Sequence, residues 1–90
     1  MRGHSPAREV RYSREAARTL LRIDRRTSRR IRAKIDLLAA DPGALGNNVG
    51  ALKGESGLKR LRIGSWRVIY TDDLTVLLVL KIAPRGSAYD

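Results

Sequence analysis

The chain is short and strongly basic: it has 90 residues, 42% of them hydrophobic, with 19 Lys and Arg against 9 Asp and Glu, for a formal net charge of +10. A domain of this length has a modest core, because it buries only about 60–65% of the surface exposed when unfolded. It has no Cys and one His, His4, which excludes disulfides and Cys-ligated zinc and argues against a His-ligated metal or a His general base. No apolar run approaches the length of a transmembrane helix, and no hydrophobic N-terminal stretch indicates a signal peptide.

The excess of positive charge consists mostly of Arg. Guanidinium groups are planar and bind phosphate oxygens two at a time. A basic domain of this kind indicates a nucleic acid, an anionic membrane or an acidic protein as partner, and the alternative is a solvated surface without a partner. The lack of Cys is compatible with a reducing compartment, so a cytoplasmic location is predicted.

Residues 1–7 are predicted to be a flexible leader, and residues 8–90 a single domain. The domain starts with an extended segment over 8–12, in which Val10 and Tyr12 share one face at period 2. Ser13 is a good helix N-cap. The next apolar residues recur at helical spacing and predict an amphipathic helix over 14–23: Ala16, Ala17, Leu20 and Ile23.

A second helix is predicted up to Ala40, with either Asp24 or Thr27 as its cap. Its end is predicted at residues 41–43, because Pro42 disfavours helix in the residue before it and Gly43 supplies a turn. The short connection between the helices predicts an antiparallel hairpin. One face of this helix is apolar and the other is basic: Ile31, Ile35 and Leu38 against Arg25, Arg26, Arg29, Arg30, Arg32 and Lys34.

The C-terminal half is predicted to be a set of strands after a glycine-rich loop over 43–57. A short extended piece over 49–52 is followed by strands over 58–63, 66–71 and 74–82, the last almost wholly apolar and so suited to the inside of a sheet. Gly64-Ser65 and Asp72-Asp73 are predicted turns. The pattern predicts an α+β fold, in which an N-terminal strand and a two-helix hairpin pack on a small twisted antiparallel sheet.

Guanidinium groups on these strands are the candidate functional groups. Arg60 and Arg62 differ by two residues and share a sheet face, and Arg67 lies just past the turn on the paired strand. Such a cluster can hold a phosphodiester and offset the charge of a transition state. The alternative is a solvated face with scattered cations. The other candidates are single residues in the same half of the chain: Lys53, Lys59, Trp66, Arg85 and Tyr89.

Two aromatic residues have more than one interpretation. Trp66, the only Trp, is either a core anchor or a platform on which a base stacks. Tyr89 is either part of a packed tail or a functional group. Nearby arginines would lower the pKa of its hydroxyl, so that it could act as a general base or stack on a nucleobase.

Several stretches of the chain resemble the RelE/ParE toxin superfamily over about residues 8–89. The opening REVRYSREAARTL, the helix end LAADPGAL, the apolar LTVLLVLKIA and the closing PRGSAY all contribute, and ALKGESGLKRLRIGSWRVIY is the most specific. The resemblance implies the fold of that family, a helical hairpin on a small sheet related to microbial ribonucleases. This agrees with the α+β fold predicted from periodicity.

The resemblance also implies roles for basic residues. Lys53 matches a basic position in the loop after the helices, and Arg60 and Arg62 match strand positions that contact RNA. Arg67 matches the arginine that contacts the scissile phosphate. Lys59 and Trp66 complete the predicted RNA-binding set.

Arg85 matches the arginine of the family's tail motif, and Tyr89 matches a tail tyrosine assigned as base or stacking residue. Arg67, Arg85 and Tyr89 are therefore the predicted catalytic residues. The sequence departs from the family at Pro84, where many relatives have His, and at Leu58, where well-known ribonucleases have a basic residue.

RelE-type members of the family cut mRNA in the ribosomal A site. The resemblance therefore predicts a type II toxin that cleaves mRNA on the ribosome through attack by the 2′-hydroxyl, with no metal or cofactor. The alternatives are a ParE-like toxin that inhibits DNA gyrase and a basic binding module without toxicity. Either toxin would have an acidic antitoxin as partner, bound less tightly as salt rises, and no membrane partner is predicted.

Overall fold

The computed structural model of the chain describes residues 7–52 and 57–86. Its elements are β1 (Glu9–Tyr12), α1 (Arg14–Arg22), α2 (Arg25–Ala40), β2 (Val49–Ala51), β3 (Lys59–Ile63), β4 (Trp66–Asp72) and β5 (Val76–Pro84), with one 3-10 turn at Gly46–Asn48. The strands form one sheet in the order β1-β5-β4-β3-β2. The predicted α+β class and the predicted order of elements are confirmed. No helix in the described ranges has the length and hydropathy to cross a membrane.

Both helices begin at capping residues that the sequence predicts. The Ser13 Oγ accepts a hydrogen bond from the backbone N–H of Ala16 at 3.0 Å. The Asp24 carboxylate accepts one from the backbone N–H of Thr27 at 2.9 Å. Each acceptor satisfies an N–H that has no partner within the helix, which typically contributes about 1 kcal/mol. Asp24, and not Thr27, is therefore the cap of α2.

Tight turns join β3, β4 and β5. Gly64 in the first turn has a φ of +59°, which the first central position of a type II′ hairpin turn requires and which favours glycine. In the second turn, the Asp73 carboxylate accepts hydrogen bonds from the backbone N–H groups of Thr75 and Val76, both at 2.8 Å. The prediction of Asp73 as a turn residue is therefore confirmed. Asp72 is instead the last residue of β4, and its prediction as a turn residue is wrong.

The pairing of β1 differs from the antiparallel arrangement that the sequence predicts. β1 runs parallel to β5, with Glu9 beside Val76 and Tyr12 beside Val79. The other three pairings are antiparallel, so the sheet is mixed. A short hairpin turn can join only antiparallel strands, whereas parallel strands need a long connection. Here both helices and three strands separate β1 from β5 in sequence, so no local turn sets their relative direction.

The core lies between the helical hairpin and one face of the sheet. Val10, Tyr12 and Ile23 pack against its edge. The apolar faces predicted for α2 and for the strands therefore meet in one cluster, whose burial supplies the main driving force for folding. The cluster consists of Ala16, Leu20, Ile31, Ile35, Leu38, Ala39, Leu61, Ile63, Val68, Tyr70, Leu77, Val79 and Ile82.

An ionic cluster joins β1, β3, β4 and the end of α2. The Arg8 guanidinium, whose side chain is 8% exposed, pairs with the Asp72 carboxylate and donates a hydrogen bond to the Leu38 carbonyl at 2.6 Å. The Lys59 Nζ donates to the same carboxylate at 2.9 Å. Buried charges of this kind persist only when they are paired. Asp72 is therefore a structural residue that ties the first and fourth strands to the last turn of α2.

We expect this ionic cluster to make stability depend on pH. Burial raises the pKa of Asp72, but hydrogen bonds from Lys59 and Arg8, and their charges, outweigh it, so the pKa is lowered. The folded state then binds fewer protons than the unfolded state, so the stabilisation is complete above the unfolded pKa of about 4 and is lost as pH falls through the folded pKa.

Asp72→Asn should lower the free energy of unfolding by about 2 kcal/mol at pH 7, and the difference from the wild type should shrink as pH falls below about 4. Urea unfolding at a series of pH values measures both effects. Asp36→Asn is the matched control, because Asp36 is exposed on α2 and has no hydrogen bond or ion pair in the described part of the chain. An Asp72→Asn penalty that stays constant down to pH 2 would contradict this account.

Candidate nucleic-acid interface

Alternation along β3 places two arginines on the face of the sheet away from the helices. Leu61 and Ile63 are buried in the core. Arg60 and Arg62 therefore project from the opposite face, which we call the helix-free face. The apolar and basic alternation of the sequence LKRLRI thus separates a core side from a cationic side. The sequence analysis predicted that Arg60 and Arg62 share a face, and they do.

The register of β3, β4 and β5 arranges the helix-free face in two rows. In the first row, Arg62 lies directly opposite Arg67, and Arg67 lies opposite Ala83. Directly opposed residues of an antiparallel pair have Cβ atoms about 5 Å apart, close enough for both guanidinium groups to contact one phosphate. The second row runs across four strands: Gly50, Arg60, Ile69 and Lys81. Arg60, Arg62, Arg67 and Lys81 form what we call the basic cluster.

Arg67 is the most enclosed arginine of the basic cluster. The residue is only 7% exposed. Its Nη1 donates hydrogen bonds to the carbonyls of Gly64 and Trp66, at 3.4 and 3.2 Å. A buried guanidinium needs such partners to offset its lost hydration. These contacts fix Arg67 beside the β3–β4 turn, so its charge is held in place and does not sample many rotamers.

The side chain of Arg60 extends from β3 over the edge strand β2. A Cβ built on Gly50 would stand 3.0 Å from the Arg60 Nη2 and 3.8 Å from its Cζ. The Arg60 Nε is buried and has no hydrogen-bond partner. The two arginines thus differ in how they are held: backbone carbonyls hold Arg67, whereas packing holds Arg60.

Arg85 follows β5, at the same end of the sheet as the β3–β4 turn. Its backbone N–H donates a hydrogen bond to the Ser65 carbonyl at 2.7 Å. Its side chain is exposed. β5 ends at Pro84, which lacks the N–H that a further ladder bond needs. The backbone of Arg85 is therefore tethered to the β3–β4 turn, which Arg67 follows by two residues.

Two of the predicted RNA contacts lie elsewhere. Lys59 shares its strand face with the core residues and pairs with Asp72. Trp66 is half-buried and packs against the core, on the sheet face opposite Arg67. The structure therefore does not bring these two side chains onto the face that carries Arg60 and Arg62, and it packs Trp66 against the core. Their predicted contacts with RNA stay predictions.

Lys53 and Tyr89 lie outside the described residues. Their predicted roles stay predictions. The other two tyrosines are poor proton acceptors. Burial, then the nearby Asp72, raises the pKa of Tyr70 to about 12. Burial also raises the pKa of Tyr12, together with Asp36 and against Arg32. Both hydroxyls therefore stay protonated at neutral pH.

Sequence reasoning missed two residues of the second row. Lys81 is the only charged residue within β5. The register shift between Ile69 and Tyr70 puts it on the face opposite Leu77 and Val79, so strand alternation alone would have placed it on the core side. Gly50 was treated as one of several loop glycines, because only the register with Arg60 reveals that it faces an arginine.

The described salt bridges involve Arg8, Arg11 and Lys59. Within residues 7–52 and 57–86, no acidic side chain therefore neutralises Arg60, Arg62 or Arg85. Cations without acidic neighbours on a shared face create a positive potential that attracts a polyanion. Fixed guanidinium groups also stabilise negative charge that develops on a phosphate. The helix-free face is thus a candidate site for binding, and for acting on, a phosphodiester backbone.

Solved structures similar to this one are found among toxin–antitoxin proteins. A chain of the archaeal RelE–RelB complex from Pyrococcus horikoshii is 28% identical with a TM-score of 0.75, over 92% of this chain and 100% of that chain. A chain of the RelBE2 complex from Mycobacterium tuberculosis is 22% identical with a TM-score of 0.70, over 89% and 100%. The free RelE toxin of E. coli is 15% identical with a TM-score of 0.72, over 92% and 88%. The fold is therefore that of the RelE/ParE toxin superfamily.

A protein-family model gives the narrower assignment. Residues 10–89 match the model described as the ParE toxin of the type II toxin–antitoxin system parDE. The chain belongs to this family of toxins. The comparison with curated protein sequences gives no match. The family model carries the ParE name and the three solved structures above carry the RelE name, so the choice of target depends on the residues of the site.

Proposed function

We propose that the chain is a toxin that cleaves mRNA in the A site of the ribosome, with no metal or cofactor. The observation that carries this proposal is the direct opposition of Arg62 and Arg67 on the helix-free face, where backbone carbonyls hold Arg67. Two opposed guanidinium groups suit a phosphodiester, because its non-bridging oxygens accept several charge-assisted hydrogen bonds.

The reaction is an intramolecular phosphoryl transfer within the RNA substrate. The ribose 2′-oxygen attacks the adjacent phosphorus, the bond from phosphorus to the 5′-oxygen breaks, and the products are a 2′,3′-cyclic phosphate and a 5′-hydroxyl. Tyr89 accepts the proton of the 2′-hydroxyl, and the leaving 5′-oxygen takes a proton from solvent. Arg67 and Arg85 stabilise the phosphorane, and Arg60 and Arg62 bind the RNA backbone. No metal is needed, because the nucleophile belongs to the substrate and guanidinium groups offset the charge.

Dependence on the ribosome calls for a second basic surface, because the sheet would be occupied by mRNA. The helical hairpin provides one. Residues 14–40 contain nine Lys and Arg against three Asp and Glu. All eight arginines of that stretch are exposed. Their charges suit the phosphate backbone of ribosomal RNA, which attracts cations over a distance of about 10 Å at physiological salt.

We also propose that an acidic antitoxin is the partner of this chain. The solved structures with the same fold include complexes of RelE with RelB. An acidic segment that covers the basic cluster would pair with Arg60, Arg62 and Arg85, which have no acidic neighbours in the described ranges. Because part of this attraction is Coulombic, affinity would fall as salt rises. The complex would then be heteromeric and would keep RNA away from the site.

Inhibition of DNA gyrase is the second candidate function. Two observations favour it: the family model bears the ParE name, and Pro84 stands where many RelE relatives have His. A gyrase poison would share the fold but would not use the arginines to act on a phosphate. A basic module without toxicity is the third possibility.

One experiment separates these functions. The chain is induced in bacteria, translated mRNA is mapped by primer extension, and purified protein is added to a gyrase supercoiling assay. Cleavage within codons, with supercoiling unaffected, is the expected result. Inhibition of supercoiling without cleavage would overturn the proposal in favour of the gyrase target. If neither effect occurs and growth is normal, the result would favour the basic binding module without toxicity.

A further inference from the structure

Gly50 lies at the middle of β2, the edge strand of the sheet, and directly opposite Arg60. A Cβ at this position would stand 3.0 Å from the Arg60 Nη2. This is closer than the about 3.5–4.0 Å at which nonbonded carbon atoms normally make contact. A side chain at position 50 would therefore push the Arg60 guanidinium aside. The planar end of the Arg60 side chain lies over the backbone of Gly50, where no side chain intervenes.

No described hydrogen bond or salt bridge fixes the Arg60 side chain in that position over Gly50. The Nε is buried and lacks a partner, which typically costs about 1–3 kcal/mol. The contact with Gly50 is thus what sets the direction of Arg60, toward β2 and away from Ile69 on β4.

This direction matters for the length of RNA that the face can hold. Strands in a sheet are about 4.8 Å apart and residues along a strand about 3.4 Å apart, so Gly50 on β2 and Arg67 on β4, which are two strands and two residues apart in the register, are separated by about 12 Å. That distance is too long for both guanidinium groups to share one phosphate. It suits two phosphates of one strand, one at the Arg62–Arg67 pair and one at Arg60.

We propose that Gly50 is a positioning residue, which directs Arg60 to a phosphate that flanks the scissile one. The inference depends on the proposed function, since it assumes that the helix-free face binds RNA. Gly50 itself does not touch the substrate. It acts through Arg60, so its effect on RNA binding must disappear when Arg60 is absent.

The test is a double-mutant cycle of Gly50→Val and Arg60→Ala in the full chain. Ala51→Val is the matched control, because Ala51 is exposed, is the next residue of β2 and lies opposite Lys59. The dissociation constant for a single-stranded RNA oligonucleotide is measured by fluorescence anisotropy over a series of salt concentrations. Thermal unfolding is measured for every variant.

Gly50→Val should weaken RNA binding by about tenfold, as expected for one charge-assisted contact. It should also reduce the slope of log affinity against log salt by about 0.7, the value for one phosphate contact with a single strand. In the Arg60→Ala background it should have no further effect. Ala51→Val should change neither quantity. If Gly50→Val does not fold, Gly50→Ala replaces it, with a smaller effect in the same direction.

The possible failures can be distinguished. If Arg60→Ala itself leaves RNA binding unchanged, Arg60 makes no RNA contact and the inference about Gly50 fails, whereas the proposed function, which depends on the Arg62–Arg67 pair, is tested separately by Arg67→Ala. If Arg60→Ala weakens binding but Gly50→Val does not, or if the two effects simply add, Gly50 has no positioning role. A loss of RNA binding by Gly50→Val with the salt slope unchanged would also reject the inference.

Discussion

Replacing Arg67 by alanine should lower the rate of mRNA cleavage by about 10²–10³-fold, as removal of one donor to a developing oxyanion does in other enzymes. The reason is that Arg67 is both opposed to Arg62 and held by two carbonyls. A charge held in place needs little reorganisation when the phosphorane forms. Single-turnover cleavage of mRNA on programmed ribosomes measures the rate.

Arg67→Lys distinguishes charge from shape. Lysine keeps the positive charge but lacks the planar fork that binds two oxygens. We therefore expect a rate between those of the wild type and of Arg67→Ala, with ribosome binding nearly unchanged. Arg11→Ala is the matched control, because Arg11 is an exposed arginine of β1 that pairs with Glu9 and belongs to neither the basic cluster nor the helical hairpin. It should leave the chemical rate unchanged.

Loss of folding is a competing explanation for the Arg67→Ala result, since the guanidinium is buried and bonded to the hairpin. Thermal unfolding and retained affinity for ribosomes exclude that explanation. Full cleavage by folded Arg67→Ala protein would reject the catalytic role of Arg67. Toxicity that persists without cleavage would point to the gyrase target instead.

Local sequence patterns were sufficient to predict most of the fold. Period 3.6 located both helices, Ser13 marked the start of the first and either Asp24 or Thr27 the start of the second, and Gly64 marked a hairpin turn. These signals act over a few residues, so they survive without knowledge of the tertiary structure. Period 2 in β3 also predicted that Arg60 and Arg62 share a face.

Features that depend on residues distant in sequence could not be predicted. The parallel pairing of β1 with β5 and the pairing of Arg8 with Asp72 both join opposite ends of the chain. The adjacent residues Asp72 and Asp73 looked alike in the sequence, yet Asp72 pairs with Arg8 and Lys59 whereas the Asp73 carboxylate caps the turn. Only the tertiary structure separates the two roles.

The candidate site could be predicted only where its residues are close in sequence. The β3–β4 turn is local, so the approach of Arg67 to Arg62 followed from the sequence. Lys59 was assigned to the site because it is basic and near Arg60, although adjacent strand residues face opposite sides. Trp66 was placed beside Arg67 by the same error. Alternation, applied to every residue of β3 and β4, would have excluded both side chains.

The core beneath the basic cluster makes a second large effect predictable. Leu61 is fully buried, with 0% exposure, between the two arginines of β3 that face the other way. Leu61→Ala should lower the free energy of unfolding by about 3 kcal/mol, because it removes buried apolar surface and leaves a cavity. That is a large fraction of the free energy of unfolding of a typical domain, which is about 5–15 kcal/mol. Urea unfolding measures the loss.

Leu74→Ala is the matched control, since Leu74 is 94% exposed and undergoes the same truncation. It should change stability by no more than about 0.5 kcal/mol. If Leu61→Ala costs less than about 1 kcal/mol, β3 is not anchored by this residue. At a temperature where Leu61→Ala remains folded, cleavage per folded molecule should stay close to that of the wild type, because the backbone register, and not the core side chain, sets where Arg62 meets Arg67. A cleavage defect in folded Leu61→Ala protein would mean instead that core packing affects the positions of the guanidinium groups on the other face of the sheet.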